Sequence, residues 1–99
     1  MKFPKVRTFH IEKDPKKQAL KVLEECSELV EAVKFLEDCL EMEVEDLSYA
    51  RTRMREEACD VLVALANLLD LYAVDKEELK ETMAAVEYSN MMRGRYECE

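Results

Sequence analysis

Glycine occurs once and proline twice in 99 residues, and that scarcity is the tightest constraint on the fold. Gly and Pro are the strongest local breakers of regular structure. Where they are missing and Glu, Lys, Leu, Ala and Met abound, the chain has to run in a few long helices. The length fits one domain, residues 1–99. Such a domain can fold alone, but it buries a smaller share of its surface than a larger one.

Residues 1–13 read as an N-terminal arm. Phe3, Val6, Phe9 and Ile11 are apolar but keep no helical period, so the arm can pack along the bundle or over a neighbour's site. His10, the only histidine, reads as a surface or packing residue. Asp14 is a good N-cap and Pro15 suits a first helical position. Ala19, Val22, Cys26, Leu29, Val33, Leu36 and Leu40 then repeat at the three-and-four rhythm of an amphipathic helix. Ala32 and Phe35 form a second, weaker edge. The spacing predicts a turn near residues 42 and 43, although only acidic repulsion and the capping residues Asp46 or Ser48 mark it. A second helix follows from about Leu47 to Tyr72. From Ala58 to Val74 it is apolar almost all round, which implies burial on every side. Asp75 and Glu78 fit a capping box for a third helix, with Leu79, Met83 and Val86 facing inward and Gly94 ending it. The expected fold is all-α: a helical hairpin plus a third helix, assembling into a four-helix-type bundle across a homo-oligomer, a dimer or tetramer.

Charge is unevenly spread within a net −8. Residues 1–21 carry +5, residues 22–48 carry −9 and residues 49–99 carry −4. The acidic middle argues against a nucleic-acid polymer as partner. No stretch is apolar enough to span a bilayer, and no apolar core follows the basic N-terminus as a signal peptide requires. Cys26, Cys39, Cys59 and Cys98 show no CxxC spacing, and the three inside predicted helices, Cys26, Cys39 and Cys59, read as reduced, buried thiols in a cytoplasmic protein. Cys26 and Cys59 stand level in the hairpin, so a disulfide is the less favoured alternative.

Two acidic motifs lie equally far from the expected turn. Glu25 and Glu28 are three apart, as are Glu57 and Asp60, so each pair shares a helix face. In a hairpin Glu25 comes level with Asp60, and Glu28 with Glu57. Four converging carboxylates repel unless they share a cation. Their hard oxygens suit Mg²⁺, or Mn²⁺, and no histidine stands by for zinc or di-iron. Mg²⁺ commonly shares substrate phosphates, which points to phosphate chemistry. Paired acids are also common on solvated faces. Asp60, however, opens the most apolar run of the chain, where a lone carboxylate is costly, and Asn67 continues its face. This makes the second motif the expected anchor and the first its complement.

The pattern Lys21-x-x-Glu24-Glu25-x-x-Glu28-Leu29, then Glu56-Glu57-x-x-Asp60-Val61-Leu62, then Asn67-Leu68, resembles the MazG-like all-α nucleoside triphosphate pyrophosphohydrolases. The tail Asn90-x-x-Arg93-Gly94-Arg95-Tyr96 is similar to a cluster that follows in many members. The resemblance covers about residues 15 to 96. It implies Mg²⁺-dependent cleavage of an NTP or dNTP to the monophosphate and pyrophosphate. Glu25, Glu28, Glu57 and Asp60 would be metal ligands, and Glu25 or Glu28 would orient or deprotonate the attacking water. Asn90, Arg93 and Arg95 would bind substrate. Lys21 would touch phosphate or merely pair with Glu25. Asn67 would bond a ligand carboxylate or the nucleotide, or be a satisfied core amide. Cys59 departs from the small residue usual before the aspartate. The related phosphoribosyl-ATP pyrophosphohydrolases tend to carry Tyr-His where this chain has Val61-Leu62-Val63. A non-enzymatic helical oligomerisation module is the competing class.

Overall fold

A computed structural model describes residues 1–96, and Cys98, one of the four cysteines, lies outside them. Among the described residues the chain forms three helices and no strand: α1 Pro15–Glu41, α2 Ser48–Leu71 and α3 Lys76–Met92. The helix starts follow the local chemistry. Asp14 Oδ1 accepts the Lys16 N–H at 3.0 Å with Pro15 at the first position. At α3, Asp75 Oδ1 accepts the Glu78 N–H at 2.8 Å and Glu78 Oε2 accepts the Asp75 N–H at 3.2 Å, closing a capping box. α2 has no side-chain cap at Leu47; Asp46 Oδ1 accepts the Ser48 N–H instead, at 2.9 Å.

The ends share one device. After α1, Glu43 takes the left-handed conformation (φ 54°), and the Val44 N–H reaches back to Cys39 O at 3.0 Å. After α2, Ala73 (φ 54°) and Val74 N–H to Leu69 O at 3.2 Å repeat it. After α3, Gly94 (φ 68°) and Arg95 N–H to Asn90 O at 3.0 Å do so again. Each is a Schellman ending, and only the third uses glycine. This is why the turn at 42–43, present as expected, carries so little mark in the sequence.

α1 and α2 pack as a hairpin. Near the turn, the Phe35 and Tyr49 rings meet edge-on at 6.0 Å between centroids, and the Arg53 guanidinium lies 5.3 Å from the Phe35 ring centre. At the far end Gln18 Nε2 donates to Ala64 O at 3.0 Å, both residues buried. The apolar core between these points is small: Ala32, Leu36, Ala50 and Ala64.

The packed face of α1 is rotated from the expected one. Val22, Leu29 and Leu36 face inward as expected, but Ala19, Val33 and Leu40 are exposed. Gln18, Glu25, Ala32 and Cys39 complete the inner face instead. The reason is that Gln18 and Glu25 are polar and were passed over by a purely apolar pattern, although they keep the same spacing. Within the single chain α2 is only partly covered. Leu65 is 40% exposed, and Val61, Leu62, Val63, Leu68 and Leu69 are only half-buried, because one chain offers α2 a single neighbour.

α3 packs on neither α1 nor α2 and buries no residue. It makes the molecule broad and flat, 45 × 43 × 21 Å, with a radius of gyration of 16.7 Å against about 13 Å for a compact chain of this length. No helix among the described residues is long and apolar enough to cross a membrane.

Candidate metal centre and adjoining cleft

The hairpin brings Glu25 and Glu28 of α1 against Glu57 of α2. One carboxylate oxygen from each lies within 4.8 Å of the others. Glu25 is the most enclosed of the acids, 8% exposed; Glu57 is half-buried and Glu28 exposed. Asp60 falls outside this trio. It is exposed, and with Glu25 it lines a cleft beside the cluster. The expected hierarchy is therefore reversed: the first motif supplies the buried anchor and Asp60 stands at the edge. Asp60 opens the apolar run of α2, but on the side that α1 leaves uncovered.

Electrostatics make the trio a poor arrangement for carboxylates alone. The charge of Glu25 lifts the Glu28 carboxyl above its ordinary value, and partial desolvation, a hydrogen bond to Glu25 and the charges of Glu57 and Glu24 push the same way. Glu25 Oε2 and Glu57 Oε2 are both buried without a hydrogen-bond partner among the described residues. Buried polar atoms are normally satisfied, and an unpaired carboxylate oxygen out of water is costly. Glu25 Oε1 is met by Lys21 Nζ at 3.0 Å, and Glu24 Oε1 lies 3.6 Å from the same ammonium. Lys21 thus pairs with Glu25, and these acids raise its affinity for its proton. One lysine offsets one of three charges. An all-oxygen donor set with two unsatisfied atoms fits a hard divalent cation.

The cleft measures about 650 Å³, within the size range of small-molecule sites. The arm supplies Phe9, Ile11 and Glu12; α1 supplies Lys17, Gln18 and Lys21; α2 supplies Val63, Ala64 and Asn67. Glu25 belongs to both the cleft and the carboxylate trio. Asn67 is 4% exposed, and its Oδ1 accepts the backbone N–H of Phe9 at 2.9 Å. His10 Nε2 lies 2.8 Å from Asp70 Oδ2 and ties the arm to α2.

Asn90, Arg93 and Arg95 are not brought to the cluster within one chain. They sit at the far end of α3, where Arg95 Nη1 donates to Asn90 Oδ1 at 3.1 Å. Gln18, Phe9 and Asp70 were missed by sequence reasoning. Gln18 is signalled by its heptad spacing to Glu25, whereas nothing local marks Phe9 or Asp70. Cys26, Cys39 and Cys59 carry free thiols, the first two half-buried. Cys59 corrects the expectation of buried thiols, because it points off the packed face of α2 and is exposed. Compared with protein-family models, curated proteins and solved structures, the chain matches none.

Proposed function

We propose that this chain is a Mg²⁺-dependent nucleoside triphosphate pyrophosphohydrolase, of the kind its acidic motifs resemble. It would act in the cytoplasm, clearing unwanted nucleotides from the pool. One observation carries the reading: two buried, unpartnered carboxylate oxygens sit in a three-glutamate cluster that shares Glu25 with a largely apolar cleft. A divalent ion and a nucleoside need those two environments side by side.

Glu25, Glu28 and Glu57 would hold the ion, with Asp60 joining from the cleft side; Mn²⁺ would serve in its place. When bound, the ion offsets the charge of the polyphosphate and polarises a phosphoryl oxygen. Glu25 or Glu28 orients the attacking water and takes its proton. Lys21, which pairs with Glu25 at 3.0 Å, would be the cation nearest the phosphate chain. Asn67 borders the cleft that takes the nucleoside.

The assembly is part of the proposal. Leu79, Met83 and Val86 line one side of α3, each roughly half exposed, and α3 packs on no other helix among the described residues. A contiguous uncovered row of this kind marks an interaction surface. In a homodimer or homotetramer it completes the four-helix-type bundle, and Asn90, Arg93 and Arg95 come within reach of a neighbour's phosphates.

The test is pyrophosphate release with Mg²⁺ from a panel of ribo- and deoxyribonucleoside triphosphates and a phosphoribosylated ATP. Release by the wild type, abolished in Glu25→Gln and Glu57→Gln, is the expected outcome. A second reading, a non-enzymatic helical assembly module, draws on the α3 row. It gains if no member of the panel is cleaved while the oligomer persists.

A further inference from the structure

We infer that the N-terminal arm is the selecting wall of the nucleoside cleft, and that Asn67 is its positioning residue. This rests on the proposed nucleotide site and goes beyond it by naming what recognises the base. Four observations meet at the arm. The Phe9 N–H donates to Asn67 Oδ1 at 2.9 Å. The next residue, His10, reaches Asp70 Oδ2 at 2.8 Å. Asn67 and Asp70 are three apart on α2 and so share a face, which makes them a two-point latch for consecutive arm residues. Glu12 Oε2 accepts the N–H groups of Lys13 and Asp14 at 3.0 and 3.3 Å, fixing the joint between arm and α1.

The latch sets what the arm presents. Phe9 and Ile11 flank His10 and both line the cleft. Phe9 is 53% and Ile11 85% exposed, so neither side chain is spent on the core. An aromatic ring and a branched aliphatic at the edge of a cleft that also holds Lys21, Glu25 and Asp60 suit a planar base, with its phosphates directed at the carboxylates. Asn67 acts through Phe9. Its oxygen is occupied by the backbone, and a buried amide that loses its partner is costly, so the bond holds the arm in one place. The arm, unlike the helices, is free to differ in side chain without disturbing the hairpin, which makes it the element that decides which base is accepted.

The experiment measures binding of Mg²⁺-loaded α,β-methylene nucleoside triphosphates, each base in turn, to the full chain, and separately the affinity for Mn²⁺ alone. Phe9→Ala is expected to weaken nucleotide binding roughly 10- to 100-fold and to flatten the preference among bases, with Mn²⁺ affinity unchanged. Phe9→Tyr, which keeps the ring, restores both. Asn67→Ala should reproduce the Phe9→Ala profile. Asp70→Ala, at an exposed position, should give a smaller effect of the same kind with the far-UV circular dichroism of the wild type. If Phe9→Ala and Asp70→Ala leave nucleotide affinity and base preference as in the wild type, the arm is not the selector, while the nucleotide site stands. If they lower nucleotide and Mn²⁺ affinity together, the arm is merely structural and the inference is overturned. A wild type that takes Mn²⁺ but neither binds nor cleaves any nucleotide overturns both readings.

Discussion

The α1–α2 hairpin and α3 are built from equally good local signals and meet opposite fates. α3 has the best-formed start in the molecule, a full capping box, and the only glycine-terminated end. Yet it buries nothing. α2 lacks a side-chain cap and ends on a left-handed alanine, yet it carries half of the core and a wall of the cleft. Capping contributes about 1 kcal/mol and decides where a helix begins. Packing decides what the helix is for, and α3 packs on no other helix among the described residues.

Placing charge on the uncovered row attacks that difference most strongly. Met83→Glu with Val86→Asp should remove about 3–6 kcal/mol of association, two to four decades in the dissociation constant. Sedimentation velocity should show the wild type as a dimer or tetramer and the double variant as a monomer with its helical content largely kept. A wild type that sediments as a monomer would remove the contrast, leaving α3 simply solvated.

The hairpin side is tested at its clustered glutamates. Glu57→Gln should lower pyrophosphate release at least about 100-fold, more than the loss of a metal site's outer hydrogen-bond partner. It should also abolish any rise in Tm with added Mg²⁺, which in the wild type follows from ion binding to the folded state alone. The Met83→Glu, Val86→Asp chain sharpens the comparison further. If it still shows the Mg²⁺-dependent rise, the ion site belongs to the hairpin, and α3 serves only the substrate.

How much of this was legible differs between the two regions for physical reasons. Helix starts at Asp14 and Asp75 were readable because capping is local. The turn at 42–43 was readable only from the symmetry of the acidic motifs, because Glu43 does a glycine's work there. The convergence of Glu25 with Glu28 and Glu57 was legible, but Glu25, not Asp60, is the enclosed carboxylate. Burial depends on how α1 is rotated, and that rotation turns inward Gln18 and Glu25, which an apolar pattern ignores. The contact of Phe9 with Asn67 joins residues 58 apart and leaves no periodic trace. Leu79, Met83 and Val86 were expected on an inner face, yet each is roughly half exposed, because α3 packs on no other helix among the described residues.

Helix ends give a smaller, two-sided test. Glu43 and Ala73 hold φ 54° without being glycine, a conformation costing about 1 kcal/mol for an ordinary residue. Glu43→Gly should raise hairpin stability by up to about 1 kcal/mol, less what glycine adds to the unfolded chain's freedom. Ala73→Gly should loosen or tighten only the link to α3. A gain in Tm from Glu43→Gly with no matching gain from Ala73→Gly would locate the cooperative unit in the hairpin.

The smallest effect is expected at the start of α2. The Ser48 hydroxyl and then its backbone N–H, both bonded to Asp46, hold that carboxyl below its ordinary value of 3.8, against a weak opposing push from desolvation. A depressed folded-state value means that folding favours the charged form. The stabilisation is therefore fully present above 3.8 and drains away as the pH falls through the lower folded value. Asp46→Ala should lower Tm slightly at neutral pH, and the gap from wild type should close in strong acid. Because the group is fully exposed, added salt should shrink the gap as well. The same scan on Asp75→Ala separates the regions. If only the hairpin's cap moves the main transition, α3 melts apart from it; if both do, the row on α3 is packed in solution, and the two regions unfold as one.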